Sequence, residues 1–261
     1  MRAIGLMYHD VVDPGHEEAS GFPGGPAGIY KLSRALFTGH LEAVASANVS
    51  VCNDISRLGP ATPPPVVFTF DDGGVSFLDP IAGLLEAHGW RGHFFITSGR
   101  INTPGFLSAS QLRELLARGH VIGSHSVRHP ERMAELTVSQ LAGEWKDSKA
   151  ALEQILGQPV ETASVPGGYF SGQVAAQAAQ AGYRHLFHSE PVTTVKTEGS
   201  LRLYGRFPLQ SSSPASLAGG LARDKHIPRF RMWFLRQGKK AAKAAGGRRL
   251  IDWYSRRLNS R

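Results

Sequence analysis

Short apolar runs and stretches of helical spacing alternate along this chain at least five times, with no linker long enough to separate one domain from another. Strand-like runs are read at residues 2–9, 66–70 (VVFTF), 93–96 (HFFI), 120–123, 161–165 and 185–187. Between them the spacing predicts helices over 33–47, 77–88, 108–118, 137–156 and 173–181, the first with Ser33 as its N-cap. That alternation predicts an α/β fold: a parallel sheet with helices outside, open or closed into a barrel. In such folds chemistry gathers where strands end and loops begin.

Charge narrows the function classes once its placement is considered. The 261 residues carry a formal net charge of +8. Residues 223–261 hold 13 Lys and Arg against two acids, while the first 222 hold 16 basic and 19 acidic side chains. The body is mildly acidic, so a nucleic-acid partner is not expected. A single cysteine, Cys52, excludes an internal disulfide. No run of 18 apolar residues occurs, and the apolar stretch within residues 1–10 is too short for a secretory leader, so the expected compartment is the cytoplasm.

Four polar groups stand at predicted strand ends. Thr69-Phe70-Asp71-Asp72-Gly73 sets two adjacent carboxylates after an apolar strand, a costly pairing unless a cation or proton relieves it. Asp-Asp-Gly is also ordinary turn chemistry. His125-Ser126-Val127-Arg128-His129 places two His at i and i+4, on one face if the segment is a helical turn, where neutral imidazoles bind Zn2+. With 11 His in the chain such spacing also arises by chance. Together, one carboxylate and two or three imidazole nitrogens, with a position left for water, make a hydrolytic metal site. His9, in Tyr8-His9-Asp10, reads equally as a general acid, a metal ligand or a polar residue closing a strand. In Ser164-Val165-Pro166-Gly167-Gly168-Tyr169 the glycines let a backbone N–H approach a ligand closely.

T-F-D-D-G, H-S-x-x-H and x-x-P-G-G, in that order, resemble the polysaccharide deacetylase family, the NodB-homology carbohydrate esterases, over about residues 2–210. The resemblance implies a distorted (β/α) barrel and removal of N-acetyl groups from an amino-sugar-containing saccharide. It also implies one divalent metal, usually Zn2+, on ligands that accept Co2+ or Ni2+ as well. It makes Asp72, His125 and His129 the metal ligands, Asp71 the general base and Gly167 a backbone donor to the oxyanion, with Ser126 steadying the His loop. The opening Leu6-Met7-Tyr8-His9-Asp10 resembles the circularly permuted branch, which carries its catalytic His on the first strand. On that basis His9 is the general acid and Met7 lines the acetyl-methyl pocket. Residues 1–222 then form the catalytic domain and 223–261 a basic, helical C-terminal extension.

Two positions depart from the family pattern. The third motif usually begins with an Arg that pairs with the catalytic Asp, and here that position is Ser164. Arg206 is a candidate replacement, with a surface Arg the equal alternative. The usual acetyl-pocket Trp has no match near residues 185–191, which leaves room for a different substrate preference. An ionised base and a protonated acid at one pH imply a bell-shaped activity profile. Deformylation, O-deacetylation and saccharide binding without catalysis stand beside N-deacetylation. In the extension, Phe230, Met232, Trp233, Phe234, Trp253 and Tyr254 interleave with cations, as suits a peripheral helix on an anionic inner membrane. The plainer reading of the same segment is a pair of helices closing the barrel.

Overall fold

Val66–Phe70 (β2) is a run of five residues, all of them buried, as a strand covered on both faces requires. In the computed structural model, which describes residues 1–230 and 232–234, it lies inside a nine-stranded sheet. The other strands are β1 (Ile4–Tyr8), β3 (His93–Ile96), β4 (Val121–Ser124), β5 (Thr162–Ser164), β6 (His185–Phe187), β7 (Lys196–Glu198), β8 (Leu201–Tyr204) and β9 (Arg206–Pro208). Their order is β7-β8-β6-β5-β4-β3-β2-β1-β9, parallel throughout except for the β7–β8 pair.

The sheet is drawn round by a single bend. β8 pairs with β6 and β9 pairs with β1, yet only Gly205 separates β8 from β9. One stretch of chain therefore passes from the strand next to one edge to the strand at the other, and curls the sheet into a distorted (β/α) barrel. A Cβ at Gly205 would lie 2.6 Å from the Glu190 carbonyl oxygen and closer still to that of Val192, so the bend admits only glycine without displacement.

Helices clothe the outside: α1 (Gly25–Gly28), α2 (Arg34–Ala45), α3 (Gly83–Glu86), α4 (Ala109–Ala117), α5 (Val138–Leu156), α6 (Gly172–Gln180) and α7 (Ala215–Ala222). Ser33 caps α2 by accepting from the Leu36 N–H. Capping boxes on Ser108 with Gln111 and on Thr137 with Gln140 fix the starts of α4 and α5. Between β2 and its helices Phe70 meets Phe94 at 5.2 Å, Tyr8 at 5.5 Å and Phe37 at 5.9 Å between ring centroids. Truncating one of these buried rings to Ala costs roughly 3–5 kcal/mol.

The structure differs from the sequence reading in three places. The helix expected over 77–88 is helical from Val75 to Glu86 but broken at Asp79, which is extended (φ −142°, ψ 119°) because Pro80 follows it. β7, β8 and β9 have no counterpart in that reading, being three or four residues long and, in β7, wholly exposed. Nor has α7: its Gly219-Gly220 pair weakens helical propensity, and its burial against α2 holds it instead. Of the basic extension, residues 226–230 and 232–234 are helical. The rest of that expectation, including Trp253 and Tyr254, lies outside the described residues. No helix among the described residues is long and apolar enough to cross a membrane.

Candidate active site

Asp72, His125 and His129 converge beyond the C-terminal ends of β2 and β4. Asp72 Oδ1 lies 3.5 Å from His125 Nε2 and 3.4 Å from His129 Nε2, and the three atoms fall within 4.8 Å of one another. The two His do not share a helical turn. They sit on a loop that Ser126 (φ +66°) and His129 (φ +57°) bend through the left-handed region. Asp72 takes φ +89° as well, so three non-glycine residues of the site hold backbone conformations costing about 1–3 kcal/mol each. Hydrogen bonds hold that loop in place. The His129 N–H donates to Ser126 Oγ at 3.1 Å, and the Ser126 N–H donates to Ser124 Oγ at 3.1 Å. On α5, the buried Glu144 carboxylate accepts from the Val127 and Arg128 N–H groups, both at 2.9 Å, and from Arg128 Nε at 2.7 Å.

These residues fit a metal ion. His125 Nδ1 lies 3.0 Å from the Ser164 carbonyl oxygen, which can only accept, so Nδ1 carries the proton and Nε2 turns its lone pair toward Asp72. Burial pushes His125 down to about 3 and lowers His129, so both are neutral imidazoles at neutral pH. Asp72 Oδ1 is buried with no hydrogen-bond partner. Burial, with Asp71 and Asp10 near, drives the Asp72 carboxyl well above the usual carboxylate range, so a cation is what would favour its ionised form there. A four-coordinate ion with bonds of about 2.0–2.1 Å needs ligand atoms about 3.3–3.4 Å apart, close to the separations of Asp72 from the two imidazoles.

Asp71, beside this cluster, is held by a different partner. Arg206 donates from Nη1 to Asp71 Oδ1 at 2.6 Å and from Nη2 to Oδ2 at 2.8 Å, a bidentate pair with the arginine wholly buried. Ser164 Oγ bridges the two, accepting from Arg206 Nη2 at 2.7 Å and donating to Asp71 Oδ1 at 3.1 Å. Burial alone would raise the Asp71 pKa, but the Arg206 guanidinium, its hydrogen bonds and nearby His125 outweigh it and hold the carboxyl well below the usual range. The guanidinium expected at position 164 thus comes from Arg206, on the strand that bends the sheet.

A cavity of about 390 Å³ joins these groups to His9, Met7, Gly167 and Tyr30. The ring of His9 packs against Tyr30 with centroids 4.4 Å apart, and its Nδ1 is buried without a hydrogen bond. Burial pushes His9 down to about 4, Arg206 and His129 adding to it against the pull of Asp71, so His9 is neutral at pH 7. Gly167 has φ +65°, and a Cβ there would overlap the Glu131 carbonyl oxygen. Asp10, also in the cavity wall, accepts from Ser20 Oγ at 2.5 Å and Ser76 Oγ at 2.8 Å.

Sequence reasoning missed several residues of the site. Lys31 is buried and donates from Nζ to the carbonyls of Glu17 and of Ser20, tying down the loop that brings Phe22 within 4.9 Å of the His129 ring. Nothing in its local sequence marks it. Glu144 had a signal: it shares the buried face of α5 with Leu141, Trp145, Ser148 and Leu152, where a carboxylate needs a buried partner.

The sequence model of the family described as polysaccharide deacetylase matches residues 59–186. The chain belongs to the polysaccharide deacetylase family. The matched span holds Asp71, Asp72, His125, His129 and Gly167, and leaves His9 and Arg206 outside it. A Bacillus subtilis protein named for the same family, YxkH, is 27% identical over 139 residues, 53% of this chain and 50% of the relative. The peptidoglycan-N-acetylglucosamine deacetylase of Bacillus cereus is 26% identical over 130 residues, 48% of this chain and 58% of the relative. The chain thus spans about half the length of these curated relatives. Among solved structures, the deacetylase PplD of Streptococcus pyogenes, in complex with acetate, superposes with a TM-score of 0.69 at 21% identity, covering 83% of this chain and 96% of that one. A polysaccharide deacetylase from Bacillus cereus gives a TM-score of 0.70 at 20% identity, covering 85% and 69%. These likenesses establish the shared barrel.

Proposed function

We propose that this polysaccharide deacetylase family member is a metal-dependent hydrolase that removes N-acetyl groups from an amino-sugar-containing saccharide. The observation that carries this reading is the meeting, in one cavity, of the Asp72-His125-His129 donor set with a carboxylate, Asp71, kept ionised by Arg206. Relatives named as deacetylases, one of them acting on peptidoglycan N-acetylglucosamine by its name, support it.

Zn2+, or Co2+ or Ni2+ on the same donors, would supply Lewis acidity to the acetyl carbonyl and acidify water. Asp71 takes the proton of the attacking water at Oδ2, the oxygen 4.0 Å from His125 Nε2. Arg206 and Ser164 fix the plane of that carboxylate before and after the transfer. The Gly167 N–H serves the developing oxyanion, a donor of a kind worth about 3–4 kcal/mol. His9 passes a proton to the leaving nitrogen. Because burial leaves it neutral at pH 7, His9 first receives from Asp71 the proton that the carboxylate took from the attacking water, and Asp71 returns to its ionised form. Met7, also in the cavity wall, suits contact with the acetyl methyl. The match of His9 to the permuted branch belongs to this reading, as does action in the cytoplasm.

Two variants test it. Asp71→Asn is expected to keep near one metal per chain by plasma mass spectrometry and to lose acetate release by at least about a hundredfold. Asp72→Ala is expected to lose both metal and turnover. Near-normal turnover in Asp71→Asn removes the base assignment. Comparing acetate and formate release from N-acetyl, O-acetyl and N-formyl sugars separates N-deacetylation from its chemical neighbours.

A further inference from the structure

The helical residues 226–230 and 232–234 leave a run of large apolar side chains in water. Ile227 is 83% exposed, Phe230 64%, Phe234 63% and Trp233 41%, values that interior-facing helices do not show. Positions 227, 230 and 234 fall on one helical face. Phe230 meets Trp233 at 6.1 Å and Phe234 at 6.2 Å between ring centroids, so the aromatics form one patch. A groove of about 630 Å³ runs between this patch and residues 191–194.

The extension that carries the patch is strongly cationic in sequence. Asp224, the only acid near it among the described residues of the extension, is taken up by Arg2 at 2.6 Å and by Arg229, which also reaches Thr193 Oγ1 at 3.4 Å. Lys225 stands exposed beside it. The sequence from 223 to 261 carries 13 Lys and Arg and two acids, on a body that is net acidic. A two-fold contact with a second copy of the chain would cover the aromatics by setting two such cationic runs against each other. Nucleic acid would satisfy the cations and leave the apolar face without a role.

We propose that this face docks the protein on an anionic phospholipid bilayer, the aromatics entering the headgroup boundary and the cations of the extension meeting lipid phosphate. The inference stands apart from the catalytic reading, since it uses none of the site residues.

The experiment is co-sedimentation of the full chain with vesicles of phosphatidylcholine alone and of phosphatidylcholine mixed with phosphatidylglycerol. It compares wild type with Phe230→Glu/Phe234→Glu, and with Phe234→Ser should the double variant fail to fold by circular dichroism. Wild type is expected to bind the anionic vesicles at least about tenfold better than the neutral ones, with binding falling as salt rises. Either variant is expected to lose most of that binding while acetate release stays unchanged. Equal binding to neutral vesicles, no binding to anionic ones, or variants that bind like wild type would each overturn the proposal. So would a lipid-independent dimer that the variants dissolve, which would assign the face to a second copy.

Discussion

Arg206 meets the site on several sides at once. It forks onto Asp71, donates to Ser164, and has the Phe95 and Phe187 rings 5.7 Å and 6.0 Å from its guanidinium carbon. Arg206→Ala would leave Asp71 buried with no countercharge, so a loss of about 3–5 kcal/mol in unfolding free energy is expected by denaturant titration. Arg206→Lys keeps the charge and loses the fork, and is expected to fold while losing turnover by at least about tenfold with metal content retained. An Arg206→Ala protein as stable as wild type would remove the pairing from the account. This residue also shows how far single positions were legible. Asp71, Asp72, His125 and His129 lie in two short motifs and could be read together. Arg206 lies 135 positions from Asp71, a distance no spacing rule spans, and only the Ser at 164 hinted that a cation had to come from elsewhere.

At the scale of elements, α5 acts as a brace for the His loop. Its buried Glu144 gathers two backbone N–H groups and Arg128 Nε, and its Ser148 Oγ lies 2.7 Å from Ser124 Oγ, which in turn accepts from the Ser126 N–H. Glu144→Ala is expected to weaken metal binding about 10–100-fold in a chelator competition, by freeing the backbone that aims both imidazoles. Glu144→Gln, which keeps one acceptor, is expected to fall between. Metal binding equal to wild type in both would assign Glu144 to stability alone. Caps and apolar stripes made α2, α4 and α5 readable to within a residue or two, because each carries its own local instructions. β7 to β9 carry none: β9 is held by pairing with β1 at the far end of the chain, β7 pairs only with its neighbour β8, and three residues are too few for a period to appear.

Across the whole molecule, several His are buried as neutral rings away from the site. His93 accepts from the Ile55 N–H at 3.0 Å through Nε2, and burial pushes it down to about 4, as it does His120 and His185. Unfolded, each would titrate near 6.5. Between about pH 4 and 6.5 the unfolded chain therefore binds more protons than the folded one, and stability must fall as pH drops through that window. His93 alone, fully buried, is expected to account for about 3 kcal/mol by pH 4, measured as a shift of the urea midpoint, and His93→Gln should flatten the curve. A wild-type midpoint constant from pH 7 to 4 would contradict the neutral rings. The alternating pattern gave the barrel class in advance, yet not its closure, because a one-residue bend at Gly205 has no signature beyond a glycine among 30. That bend works like a hasp. The residue after it is Arg206, so the link that shuts the barrel and the bolt that arms Asp71 are successive links of one chain. Whatever springs the latch disarms the site in the same motion, which makes loss of turnover the earliest alarm that the barrel has begun to open.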